Sequence, residues 1–343
     1  MLSIYLIPLI VAIFLAINMG ASGTAPSFSA VYGADLMKKE MIPGLFGFFV
    51  FAGVIIAGEK VVLTIGKGIL PNEIMTITLT VIIVLSIALS LLLANLMGVP
   101  QSTSQSTVFA LVGPALYFGN LQTDKLVFEI IPTWFITPVL AFVLALLAGK
   151  LIYKPLKTRF KGMIKKISES KTIRYFVIAS ACYVAFSIGS NNVANAAGPI
   201  LAMAVNELNM TMSDPNVVLV IIIVSFMISP FFGIGSSMMG YRVVKTTGKE
   251  IIKFGPLGAT LISVITATLL LLASTTRGIP TSLVQMNTGA ILGLGVSKIG
   301  WKAIKNDTPL GKIVTIWIVA PLIAMAISTS LTILADYLGM LKY

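Results

Sequence analysis

Gly98-Val-Pro-Gln-Ser102 and Gly278-Ile-Pro-Thr-Ser282 are two copies of one short pattern, each opening a short apolar run. Further pairs keep the same order. Gly58-Glu-Lys-Val-Val-Leu-Thr-Ile-Gly-Lys-Gly-Ile69 aligns with Gly240-Tyr-Arg-Val-Val-Lys-Thr-Thr-Gly-Lys-Glu-Ile251, and Trp134-Phe-Ile-Thr-Pro138 with Trp317-Ile-Val-Ala-Pro321. Gly20-Ala-Ser22 precedes the first set as Gly189-Ser-Asn191 precedes the second. Such self-similarity marks an internal repeat. The apolar runs fall at about 3–20, 43–58, 74–97, 103–119 and 126–153, then at 173–190, 216–239, 255–274, 280–297 and 312–338. Two halves with an odd number of runs must cross a bilayer in opposite directions, which is the inverted-repeat plan of secondary transporters. The expected architecture is therefore an all-α polytopic membrane protein of two inverted-topology repeats, 1–153 and 173–343, joined by a linker at 154–172. The runs 103–119 and 280–297 are short and punctuated, as re-entrant segments or half-helices are. The stretches 20–36 and 189–206, rich in Gly, Ala, Ser and Asn, predict broken helix, tolerated at membrane depth only where protein or a cavity supplies partners.

Composition agrees. Hydrophobic residues make up 57% of the 343 and charged residues only 10%, well under half the roughly 25% of a soluble domain. There is no histidine, which removes His triads, His-ligated metals and His proton relays. Cys182 is the single cysteine, so no internal disulfide and no Cys-based metal cluster can form. No cofactor and no metal site is expected.

The net charge of +12 is explained by position rather than by nucleic acid. With the basic linker (Lys154, Lys157, Arg159, Lys161, Lys165, Lys166, Lys171) and the adjoining Arg174 in the cytoplasm, Lys38, Lys39, Arg242, Lys245, Lys249, Lys253, Lys298, Lys302, Lys305 and Lys312 also fall inside. Only Lys60, Lys67, Lys125, Arg277 and Lys342 stay outside. This bias is the positive-inside rule. It predicts a multi-pass protein of the cell membrane, its basic loops on the inner leaflet and both termini outside.

Four polar constellations interrupt the apolar runs. Ser22, Gly23, Thr24, Pro26, Ser27 and Ser29 form the first, and Ser190, Asn191, Asn192 and Asn195 its counterpart. Asparagines in an apolar segment are costly unless they bind each other or a ligand. Ser102, Thr103, Ser104 and Gln105 form the third; Thr281, Ser282 and Gln285 its counterpart. Pro followed by hydroxyl residues at the head of an apolar run is a helix N-terminus. Its free N–H groups and positive dipole end suit an anion, and two such ends related by the repeat would face one point. None of the 12 carboxylates lies in these motifs.

These motifs resemble the inorganic phosphate transporter (PiT) family. Gly189-Ser-Asn-Asn-Val-Ala-Asn-Ala196 is similar to its G-A-N-D-V-A-N-S/A signature, and Pro100-Gln-Ser-Thr-Ser-Gln105 and Pro280-Thr-Ser-Leu-Val-Gln285 to its P-V-S-T-T-H motif. The likeness spans essentially the whole chain. It implies an inverted-repeat helical fold and tetrahedral oxyanion transport with sodium or proton coupling, and it is compatible with a homodimer. The signature Asp is Asn192 in the second half and Gly23 in the first, and the motif His is Gln105 and Gln285. The Gly20-Ala-Ser-Gly23 start resembles the bacterial sulfate permease branch.

The chemistry favours the same branch. Phosphate near neutral pH has a proton to donate to a carboxylate, whereas sulfate has none, so a sulfate site is built of donors alone. The expected function is import of sulfate or a related oxyanion by cation symport, with no enzymatic activity and no nucleic-acid partner. The substrate-binding candidates are Ser22, Gly23, Thr24, Ser102, Thr103, Ser104, Asn191, Asn192, Asn195, Thr281 and Ser282. Importing a dianion against an inside-negative potential costs about 4.6 kcal/mol per 100 mV, so uptake needs a proton or sodium ion. The coupling candidates are Glu59, Gln105 and Gln285, with Asp35 and Glu129 behind them. A sodium- or proton-coupled phosphate transporter and a donor-lined anion channel remain the alternatives, distinguished by substrate competition and by conductance without coupling.

Overall fold

Apolar residues in long uninterrupted runs can bury their backbone polar groups only by bonding within the segment, so the chain becomes helix after helix. The computed structural model describes residues 2–33, 35–96, 101–155, 171–240, 254–301 and 310–341. The helices are α1 (Leu2–Gly33), α2 (Ile42–Ala57), α3 (Glu59–Lys67), α4 (Ile77–Leu96), α5 (Thr103–Tyr117), α6 (Thr123–Tyr153), α7 (Lys171–Asn192), α8 (Ala194–Glu207), α9 (Val217–Gly240), α10 (Gly255–Arg277), α11 (Leu283–Ile299) and α12 (Leu310–Tyr337). Among the described residues there is no strand.

Eight segments are long and apolar enough to cross a membrane. Large apolar side chains such as Ile56, Phe128, Phe135 and Phe176 point outward, where lipid would cover them. The chain is a multi-pass membrane protein. α5 and α11, with 15 and 17 residues, reach only about 22 and 26 Å at 1.5 Å per residue, short of a ~30 Å hydrocarbon core. They are the two runs singled out as short in the sequence. Most of the basic linker, residues 241–251 of the repeat and residues Gly98, Val99 and Pro100 lie outside the described residues.

The two stretches expected to be broken behave differently. At 189–206 the helix is interrupted at Val193, between α7 and α8. At 20–36 α1 instead runs continuously through Pro26 to Gly33, correcting the expected break. Its hydroxyls brace the helix from within: Thr24, Ser27 and Ser29 donate to the carbonyls of Gly20, Gly23 and Ala25.

Packing between the halves is reciprocal. α1 lies on α9 while α7 lies on α2, and α5 lies on α12 while α11 lies on α6. Close backbone contacts repeat at aligned positions. A Cβ on Gly20 would overlap the carbonyl of Phe232, and one on Gly189 the carbonyl of Val50. One on Gly53 would overlap the carbonyl of Phe186, and one on Gly235 that of Ile17. The small residues let backbones touch where hydrophobic driving force between helices is absent. The Gly235–Gly240 stretch accordingly packs on α1, with Gly240 against Thr24.

Trp134 is only 5% exposed. Cys182 is buried and free.

Gly189→Ala and Gly20→Ala should each cost about 1–3 kcal/mol through overpacking and lower the melting temperature in detergent. Gly44→Ala, where an added Cβ meets nothing within 4 Å, should leave it unchanged.

Candidate functional site

Two helices begin inside the protein, and their first turns meet. Ser102 and Ser282 are extended residues that cap α5 and α11, their hydroxyls accepting from the backbone N–H of Gln105 and Gln285 at 3.3 Å each. The side chains of those same glutamines pair across the gap: Gln105 Nε2 donates to Gln285 Oε1 at 3.4 Å, and Gln285 Nε2 to Gln105 Oε1 at 3.3 Å. Each helix start also carries first-turn N–H groups, at Thr103 and Ser104 and at Leu283 and Val284, that have no intrahelical acceptor. The gap is thus edged by backbone and amide donors and by two positive dipole ends.

Asn191, fully buried in α7, ties this centre together. Its Nδ2 donates to Ser274 Oγ at 2.9 Å and to the Ile279 carbonyl at 3.0 Å. Its Oδ1 accepts from the Thr281 N–H at 3.1 Å and from Ser104 Oγ at 3.4 Å. One amide therefore holds the turn before α11 and touches the start of α5. Asn195, one turn on in α8, donates to Ser104 Oγ at 3.4 Å. Four buried oxygens nearby have no partner among the described residues: Oδ1 of Asn192 and Asn195, Oγ1 of Thr281 and Oε1 of Gln101.

The electrostatics follow from what is missing. Among the described residues, no buried side chain is charged, and the buried polar groups are neutral hydroxyls, amides and the ring donors of Tyr153 and Trp134. No group of His, Cys, Asp or Glu able to hold a metal is found among them either.

The structure brings together Ser102, Thr103, Ser104, Gln105, Asn191, Asn195, Thr281, Ser282 and Gln285. It does not join the first-half motif to them by any hydrogen bond among the described residues. Ser22 donates to the Met19 carbonyl at 3.2 Å, Thr24 to Gly20, and Gly23 packs against the Phe46 ring. Asn192 is half-buried. Glu59 is exposed in the first turn of α3, Asp35 is exposed in a turn, and Glu129 faces Arg277 at 4.0 Å.

Two contributors were not among the candidate site residues of the sequence. Ser274 sits in the polar run Ala273–Arg277, which by itself reads as a helix end. Trp134 of α6 stacks near Phe109, their centroids 6.2 Å apart, and its Nε1 donates to the Pro280 carbonyl at 2.9 Å, fixing the turn that leads into α11.

A model of the phosphate transporter family matches residues 19–328. The chain belongs to that family. It is 33% identical over 330 residues to the sulfate permease CysP of Bacillus subtilis, covering 95% of this chain and 87% of that one. It is 25% identical to a putative phosphate permease of Thermococcus kodakarensis, covering 93% and 95%. A solved structure titled the sodium-dependent phosphate transporter shares the fold, with a TM-score of 0.83 at 21% identity over 98% of this chain and 99% of that one. The protein is accordingly a membrane transporter.

Trp134→Phe keeps the ring and deletes the bond to Pro280. It should destabilise the protein by about 1 kcal/mol, a small drop in melting temperature, with a larger proportional loss of transport because the start of α11 is no longer held.

Proposed function

We propose that this transporter imports a tetrahedral oxyanion with no proton to donate, sulfate foremost, through the gap between the starts of α5 and α11. The observation that carries this is the uncharged, donor-rich centre: two capped helix N-termini, a glutamine pair where phosphate members carry His, and no buried carboxylate among the described residues. A dianion there meets N–H and O–H groups and no like charge to repel it. An arriving oxyanion would take over the Nε2 donors that Gln105 and Gln285 now spend on each other. The similarity to a sulfate permease supports the same substrate; the phosphate permeases among the relatives keep phosphate as the competing one.

The reciprocal packing of α1 on α9 with α7 on α2, and of α5 on α12 with α11 on α6, supports two inverted repeats around this centre. The break at Val193 and the short α5 and α11 are then its discontinuous elements.

Sodium is the better-supported coupling ion. A proton needs a titratable group at the centre, and Glu59 is exposed on α3 instead. The unpartnered oxygens of Asn192, Asn195, Thr281 and Gln101 are neutral ligands of the kind a hard cation takes.

The test is uptake of radiolabelled sulfate and phosphate into liposomes holding the purified protein. Sulfate should accumulate, phosphate should compete poorly, and uptake should follow the sodium gradient. Phosphate uptake without sulfate uptake would overturn the substrate. Gln105→Glu and Gln285→Glu, which put a carboxylate in the gap, should each lower sulfate uptake at least ten-fold, whereas Glu59→Gln should leave it near wild type. Loss of uptake in Glu59→Gln, with uptake following pH rather than sodium, would restore the proton.

A further inference from the structure

Beside the uncharged centre lies a basic feature that it does not use. Lys60 and Lys67 on α3, Lys125 on α6 and Arg277 at the end of α10 line one open cleft of about 880 Å³, together with Glu73 and Asp124. These four come from three separate stretches of chain. They are also four of the five basic residues that the loop charges leave on the outer side, the fifth being Lys342. That side carries Glu59, Glu73, Asp124, Glu129, Glu207, Asp214 and Asp336, so its average field repels anions. Gathering its cations into one cleft reverses the field locally.

The cations are not cancelled pairwise. Lys60 Nζ donates to the Thr275 carbonyl at 2.7 Å and Lys125 Nζ to Thr64 Oγ1 at 2.8 Å, both neutral acceptors. Among the described residues, no carboxylate lies within ion-pair distance of Lys60, Lys67 or Lys125. Arg277 and Glu129 approach only to 4.0 Å, with side chains 70% and 35% exposed.

The cleft adjoins the centre through one turn of helix. Ser274 bonds Asn191, while Thr276 and Arg277 of the same turn line the cleft. The next residue, Gly278, turns with φ +64° against the Lys60 carbonyl and leads into Pro280 and α11.

We propose that this cleft is an outer docking site, where a divalent tetrahedral oxyanion is held in partly hydrated form before it reaches the paired helix starts. The proposal rests on the permease reading for the destination of the ion, and on the cleft itself for its capture. A phosphate headgroup of lipid offers the same chemistry, so the test separates the two.

Initial rates of radiolabelled sulfate uptake are measured in phosphatidylcholine liposomes, with and without anionic lipid, at about 20 mM and about 300 mM ionic strength. Lys67→Gln and Arg277→Gln should each raise KM about three- to five-fold at low ionic strength with Vmax unchanged. The effect should shrink at high ionic strength, and Lys67→Arg should restore the wild-type KM. Occupancy is read without transport from Gln122→Cys, an exposed position in the cleft. Sulfate should slow its labelling by a neutral maleimide, and should no longer do so when Lys67→Gln is added. An unchanged KM together with absent protection overturns the docking site while leaving the permease intact. A KM effect seen only with anionic lipid assigns the cleft to headgroups and overturns it as well. Protection without sulfate uptake keeps the cleft and sinks the permease reading.

Discussion

A helix that starts inside a bilayer exposes N–H groups that neither water nor lipid can satisfy. α5 and α11 both start at buried residues, Ser102 and Ser282, inside the protein, and much of the molecule answers the same constraint there. Ser102 and Ser282 each cap one N–H, Asn191 takes the N–H of Thr281, and Trp134 holds the carbonyl of Pro280. The first-turn N–H groups left without an intrahelical acceptor are donors of the kind an anion takes. The polar groups that look expensive in an apolar chain are thus the means by which two short helices with buried starts become tolerable.

The close contacts of α1, α2, α7 and α9 serve this arrangement. Glycines at aligned positions in both halves bring backbones into contact, so the elements that carry Asn191 and its neighbours are held by shape rather than by charge. An interior with no buried charged side chain among the described residues avoids the desolvation cost of unpaired ions and presents no fixed charge of its own to a passing one. Charge is kept for the ends of the helices, where the basic cleft beside the last turn of α10 lies next to the centre without entering it.

Much was legible in the sequence. The shortage of charge, the paired Pro-hydroxyl motifs and the order of the runs give a helical membrane protein with two short central helices, because helix length, capping and hydropathy are local properties. The equivalence of the first- and second-half Gly-rich motifs was legible as alignment but not as geometry. Ser22 and Thr24 turn back onto α1, whereas Asn191, with a longer side chain that can donate and accept at once, reaches residues about 90 positions away. Glu59 illustrates the opposite case: its place at the end of an apolar run is plain in the sequence, while its exposure depends on how α3 packs.

By itself the sequence determined the solvent, the helices, their caps and the kinds of atoms available for a ligand, since each follows from composition and short-range spacing. Only the tertiary structure decided which of those atoms converge: that Gln105 finds Gln285, that Ser274 and Trp134 hold the start of α11, and that Lys60, Lys67, Lys125 and Arg277 share one cleft. The physical reason is that these contacts are set by helix packing between distant segments, where glycine-sized gaps fix which faces meet and no pattern along the chain records the partner.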